Sequence, residues 1–287
     1  MDQGYNIGIL ENDFGAVNVD MMLLRELEGE QCELEMVAGG CDKDCHRRRF
    51  KTKLIAMGMC GYDRVLIEPS GIFDMDEFFD ALHEEPLDRW YQIGNVIAVV
   101  DAGLDEKMSE EADYILASEV ADAGCIVLSK TQEASEKSIE NTVKHLNRAL
   151  KAVHCKRKFG EDEIIRKDWE QFETEDFERI LNSGYIAEDY EKMSLDEKEV
   201  FKSLYFMDLE VSGEELRDAA QKIMQDPACG SVFRIKGFTQ EPDGSWTELN
   251  ATHHEITQCP IAEGQKVIIV IGEQPDEEMI KKYFRTD

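Results

Sequence analysis

The sequence is short of base. It sets 32 lysines and arginines against 62 acidic residues, a formal net charge of −30 over 287 residues. Such a surface repels phosphate backbones and anionic bilayers at long range, so neither nucleic acid nor a membrane is an expected partner. The chain also lacks any apolar run near the roughly 18 residues a membrane span needs. Its opening, MDQGYN, has no signal-peptide character. It has no dense cysteine framework. Eight cysteines scattered through a chain this long point to reduced thiols and a cytoplasmic setting rather than to disulfides. No internal repeat is present. What remains is globular. The hydrophobic fraction is 42%, and the length suits two domains at roughly 100–200 residues each.

The first part of the chain alternates apolar strands with helices. Tyr5–Leu10, Cys32–Val37, Arg64–Ile67, Asn95–Asp101 and Gly124–Ser129 read as strands. Arg47–Met59, Phe73–Leu82, Ser109–Ala121 and Ser135–Val153 read as helices, and Trp169–Leu181 as one more. That alternation predicts an α/β domain, residues 1–183, with a mostly parallel sheet covered by helices on both faces. An acidic stretch, residues 184–200, reads as a linker. From Phe201 the texture changes to one strand, a helix, four short strands and a closing helix, with Asp243–Gly244 as a hairpin turn. This predicts a small α+β domain, residues 201–287, with a mostly antiparallel sheet.

In the first domain four strands end in polar motifs: ENDFG, GGCDKDC, EPSG and SKTQ. Ligands of open α/β sheets bind at the carboxyl ends of the strands. The motifs are therefore expected to converge on one site built from Glu11, Asp13, Cys41, Cys45, Glu68, Ser129 and Lys130. The segment DRVLIEPSGIFD, residues 63–74, organises it. Its strand fixes Glu68 at its carboxyl end, and Gly71 lets the backbone approach a phosphate or its Mg²⁺. Read alone, the same segment is an ordinary βα turn with an exposed acid.

In order along the chain, these segments resemble the CobW-type P-loop GTPases, a family of metal-handling GTPases that includes metallochaperones. ILENDFG at Ile9–Gly15 looks like the family's strand ending in ENEFG, and Val19–Asp20 resembles the pair that follows. GCDKDC at Gly40–Cys45 stands where the family has a G-C-x-C-C metal motif. Arg64–Gly71 resembles its Walker B segment, Val99–Ala102 a recurrent strand end, and LSKTQ at Leu128–Gln132 its guanine-reading N-K-x-D. VFRIKG at Val232–Gly237, Trp246 and VIIVIG at Val267–Gly272 look like its C-terminal domain. The resemblance implies a P-loop NTPase-like fold and a nucleotide site using Glu68, Gly71, Ser129, Lys130 and Gln132, with Glu68 organising Mg²⁺ or the attacking water. It implies a transition-metal site, for Zn²⁺ or a similar ion, held by Glu11, Cys41 and Cys45. Two thiolates and a carboxylate suit tetrahedral zinc, and Arg47–Arg49 beside the loop favour thiolates. The implied partners are a nucleotide and a metal-receiving client protein, with homo-oligomerisation left open.

The chain departs from the family pattern in three places. It carries no Walker A motif G-x-x-x-x-G-K-[ST], whose backbone N–H groups and lysine hold phosphates. It opens where the family's second strand opens, so a gap is expected in the sheet; the alternatives are a reading frame that starts upstream of Met1, which is the expectation, a strand supplied by a separate chain, or a decayed relative. Ser129 and Gln132 replace the family's Asn and Asp, which removes the charge-assisted pair to guanine. The metal loop has two cysteines where the family has three, and Ala16 replaces a second acid. The expectation is a CobW-like GTP-binding protein of the GTPase-coupled metallochaperone type. The alternative is a metal-binding or adaptor module without nucleotide turnover, and the chain as written is expected not to hydrolyse GTP appreciably. His253 and His254 point to opposite faces as strand neighbours and are not read as a metal site. The other cysteines read as fillers.

Overall fold

The computed structural model describes residues 4–13, 24–38, 43–69, 75–193, 201–262 and 264–284. The chain divides into two compact units, Met1–Ser194 and Leu195–Asp287.

In the first unit β1 is Ile7–Asp13, β2 Cys32–Ala38 and β3 Arg64–Pro69. They form a parallel sheet of order β2-β1-β3. The helix α1, Lys43–Cys60, joins β2 to β3. Its Phe50, Leu54 and Met57 recur at helical spacing and are buried with Leu10 and Val37. Gly8 lies under this contact, and a Cβ there would come 2.6 Å from the Met57 terminal carbon, so the methionine would have to shift. Two short helices follow, α2 at Met75–His83 and α3 at Leu87–Trp90.

A second parallel sheet has the order β4-β5-β6, with β4 at Ile97–Asp101, β5 at Cys125–Ser129 and β6 at Ile164–Ile165. Helices α4, Glu110–Ala121, and α5, Glu136–Ala152, pack with it. Each helix starts on a serine that accepts a backbone N–H, Ser109 from Ala112 at 3.0 Å and Ser135 from Ser138 at 3.2 Å. The apolar stripe of α5, Ile139, Leu146 and Leu150, is buried in this core.

The parallel α/β class holds, but the strands are divided between two sheets. Among the described residues β3 pairs only with β1, and β4 only with β5. Leu66 on β3 is 50% exposed and Val99 on β4 70%, an unusual state for strands of parallel sheets, which are ordinarily covered on both faces.

Two further expectations are corrected. The segment read as one helix from Trp169 is a 3-10 turn, Trp169–Gln171, then α6, Thr174–Leu181, because Phe172 is extended between them. The stretch from Gly184, read as the start of a linker, is tied to the first unit. Val96 donates to the Gly184 carbonyl at 3.0 Å, Ile186 to that of Asp122 at 3.1 Å and Glu191 to that of Val153 at 2.8 Å. Those backbone bonds make it part of that unit as far as Glu191. Residues 194–200 lie outside the described residues.

The second unit contains β7 Phe201–Met207, α7 Gly213–Gln225, β8 Ser231–Gln240, β9 Trp246–Thr252, β10 Ile256–Ile261, β11 Val267–Glu273 and α8 Glu277–Tyr283. Its five strands form an antiparallel sheet of order β10-β9-β8-β11-β7. Leu216, Ile223 and Ile280 of the helices are buried with Ile235, Leu249 and Val270 of the strands. The hairpin expected at Asp243–Gly244 is present, with Gly244 at φ +87°. Among the described residues no helix is long and apolar enough to cross a membrane.

Candidate functional site

Parallel register decides which acids meet. Glu11 of β1 is paired with Glu68 of β3 on one side and with Met36 of β2 on the other. Paired residues of neighbouring parallel strands share a face about 4.8 Å apart. The two carboxylates therefore stand side by side at the carboxyl edge of the first sheet, on the face opposite α1. Their environments differ: Glu11 is only 4% exposed and Glu68 is exposed. β1 is the middle strand of this sheet and β3 an outer one among the described residues. Leu10 turns into the α1 core while Glu11 takes the other face.

Cys45 lies in the first turn of α1, next to the carboxyl end of β2 in sequence. Its side chain, and the whole of Asp13's, lie outside the described atoms. Cys41 and Gly71 lie outside the described residues. Among the described residues no group of three His, Cys, Asp or Glu is placed to hold a metal ion. Carboxylate and thiolate are the donor types that a thiophilic divalent ion such as zinc accepts.

Ser129, Lys130 and Gln132 follow the second sheet instead. Asp101 and Ser129 are register partners at its carboxyl edge. Lys130 turns the chain with φ +55°, and its ammonium donates to Asp101 at 2.9 Å. The other Asp101 oxygen accepts the Gly103 N–H at 2.7 Å. Gln132 is exposed in the turn that follows. Glu11 and Glu68 are thus brought together, Ser129, Lys130 and Gln132 are brought together, and the two groups sit on separate sheets. The expected convergence on one continuous sheet edge is not observed, because no ladder joins β3 to β4 among the described residues.

Asp101 is the residue that the candidate set omitted. It had a signal, since it is an acid closing an apolar strand, as Glu11 and Glu68 are. A second omission is the polar face of α5. Ser138 and Thr142 donate to the Ala102 carbonyl at 3.3 and 2.9 Å. His145 places Nδ1 2.7 Å from the Asp105 carbonyl and Nε2 2.5 Å from Asp113. Together they pin the loop that follows Asp101. Polar residues at core positions of an amphipathic helix were the available clue.

A match of residues 1–159 to the CobW/HypB/UreG nucleotide-binding domain gives the class of protein, and the chain belongs to that family. Among individual relatives, it is 30% identical over 141 residues to the zinc chaperone YjiA of Escherichia coli strain K12. That stretch is 46% of this chain and 43% of the chaperone, so the likeness spans less than half of the relative. Among solved structures, the Zn(II)-bound YjiA GTPase from E. coli aligns over 98% of this chain and 89% of its own, at 19% identity and a TM-score of 0.37. A Zn(II)-bound triple mutant of YjiA GTPase aligns over 99% and 90%, at 17% identity and a TM-score of 0.38. Superpositions this loose add nothing to the family match.

Proposed function

We propose that the chain is a CobW-family metal-handling protein. Its cargo is zinc or a similar transition ion, held by Glu11, Cys41 and Cys45 and passed to a client protein. The observation that carries this reading is the register pairing of buried Glu11 with exposed Glu68. It sets the candidate metal carboxylate beside the candidate Mg²⁺ and water-organising carboxylate. A change at one is then felt at the other through one rigid strand pair, which is the geometry that coupling of metal to nucleotide requires. Glu68, Gly71, Ser129, Lys130 and Gln132 are the proposed nucleotide contacts, and Mg²⁺ would enter with the nucleotide. The zinc chaperone relative and the family's nucleotide-binding domain support the same assignment.

A second reading is favoured by one observation. The two groups of proposed nucleotide residues stand on separate sheets among the described residues. On that reading the chain binds metal without turning over nucleotide. The two are separated by measuring zinc affinity with a competing chromophore, with and without GTP and Mg²⁺, alongside phosphate release. The coupled reading predicts that nucleotide shifts zinc affinity several-fold and that Glu68→Gln abolishes the shift. Unchanged affinity with no phosphate release leaves the non-hydrolytic reading. Absence of zinc binding in both conditions contradicts both.

A further inference from the structure

Asp101 and Lys130 form a joint at the carboxyl edge of the second sheet. Lys130 stands in the left-handed region at φ +55°, where residues other than glycine are uncommon and strained. The bonds around it hold it there. Its carbonyl accepts the N–H groups of Glu133 and Ala134 at 3.1 and 3.2 Å. Its ammonium donates to Asp101 Oδ2 at 2.9 Å, and Asp101 Oδ1 accepts the Gly103 N–H at 2.7 Å. One carboxylate thus fixes both the lysine and the turn that follows β4.

That turn is itself braced by α5. Ser138, Asn141, Thr142, His145 and Arg148 recur at helical spacing and reach the loop after β4. Ser138 and Thr142 donate to the Ala102 carbonyl, and Arg148 donates to the Glu106 carbonyl at 2.8 Å. Asn141 donates to the Glu106 carboxylate at 2.8 Å, and His145 Nδ1 donates to the Asp105 carbonyl at 2.7 Å. The same helix is capped by Ser135, at the end of the Lys130 turn. Loop and turn are therefore anchored to one helix, and the Asp101–Lys130 pair spans them.

This arrangement decides what Lys130 can offer a ligand. An ammonium already paired with a carboxylate presents little net charge to a phosphate. Its methylene stem remains available, since the lysine side chain is 38% exposed. A stem held in one place suits a flat, uncharged ring.

We propose that Asp101 is a positioning residue of the nucleotide site, holding Lys130 so that its stem, not its charge, meets the base of the nucleotide. The proposal rests on the reading of Ser129, Lys130 and Gln132 as nucleotide contacts. Asp101 acts through Lys130 rather than on the ligand. It lowers the ordering cost of binding, because a flexible side chain is fixed before the ligand arrives.

The test is NMR titration of guanosine, and of GTP with Mg²⁺, against the full chain. Asp101→Asn keeps an oxygen for the Gly103 N–H and removes the carboxylate charge. It is expected to weaken guanosine and GTP by the same factor, about three- to fivefold. In a Lys130→Met background Asp101→Asn is expected to add no further loss, as a residue acting only through Lys130 requires. Equal guanosine affinity in wild type and Asp101→Asn overturns the proposal. An equal loss in both backgrounds also overturns it, by marking a merely structural role. A change confined to GTP assigns the Lys130 ammonium to phosphate and overturns it too. A wild type that binds neither guanosine nor GTP overturns the nucleotide reading and the proposal with it, whereas the other contrary results leave that reading standing. If Asp101→Asn loses its circular dichroism, Asp101→Ser takes its place in the same cycle, its hydroxyl accepting the Gly103 N–H.

Discussion

Glu119, on α4, shows how one residue can set a pH dependence. Burial among its neighbours pushes its carboxyl up to about 8. In the unfolded chain the same group ionises near pH 4.3. Between those values the folded state holds a proton that the unfolded state releases. This group therefore costs nothing below about pH 4, destabilises progressively as pH rises, and reaches its full penalty above about pH 8. The residue keeps some solvent contact, so the effect is a few kcal/mol at most. Glu119→Gln, neutral at every pH, is expected to match wild type at pH 4.5 and to melt several degrees higher at pH 8. Equal melting temperatures at pH 8 would show that the carboxyl is solvated. Nothing in the sequence marked Glu119, because an acid on an amphipathic helix reads as solvent-facing until the packing around it is known. The face that Glu11 takes was legible, because it follows Leu10 on β1 and strand alternation sends neighbours to opposite faces.

At the scale of elements, strand identity was readable and strand partnership was not. YNIGIL, DRVLIEP, NVIAVVD and GCIVLS declare themselves by apolar runs bounded by turn residues. A run does not say which neighbour it will pair with, so the place where the described strands divide between two sheets was not legible. Ile164–Ile165 is too short to carry a period and went unread. The open edges have a measurable consequence. Strands that are outermost among the described residues and bear exposed apolar side chains, as β3 and β4 do, invite association with other chains. Leu66→Lys/Val99→Lys is expected to reduce concentration-dependent association in sedimentation experiments. The change in stability should be small, about 0.5 kcal/mol, because both positions are exposed. Association equal to wild type would show that these edges are not the contact.

At the scale of the molecule, the two units have separate cores. Residues 195–287 hold a five-stranded sheet with two helices packed against it, which is enough apolar burial for independent folding. That fragment alone is expected to melt cooperatively in circular dichroism. A non-cooperative melt would mean that it depends on the first unit. The backbone bonds from Gly184 to Glu191, which tie that stretch to the first unit, left no sequence signal.

The proposed metal site consists of Glu11 with Cys41 and Cys45. Zinc bound per chain, measured by native mass spectrometry on wild type and on Glu11→Gln/Cys41→Ala/Cys45→Ala, tests it most directly. The account predicts one ion on wild type and none on a triple variant that keeps its circular dichroism. A wild type that binds no zinc, or a variant that binds it as well as wild type, contradicts it.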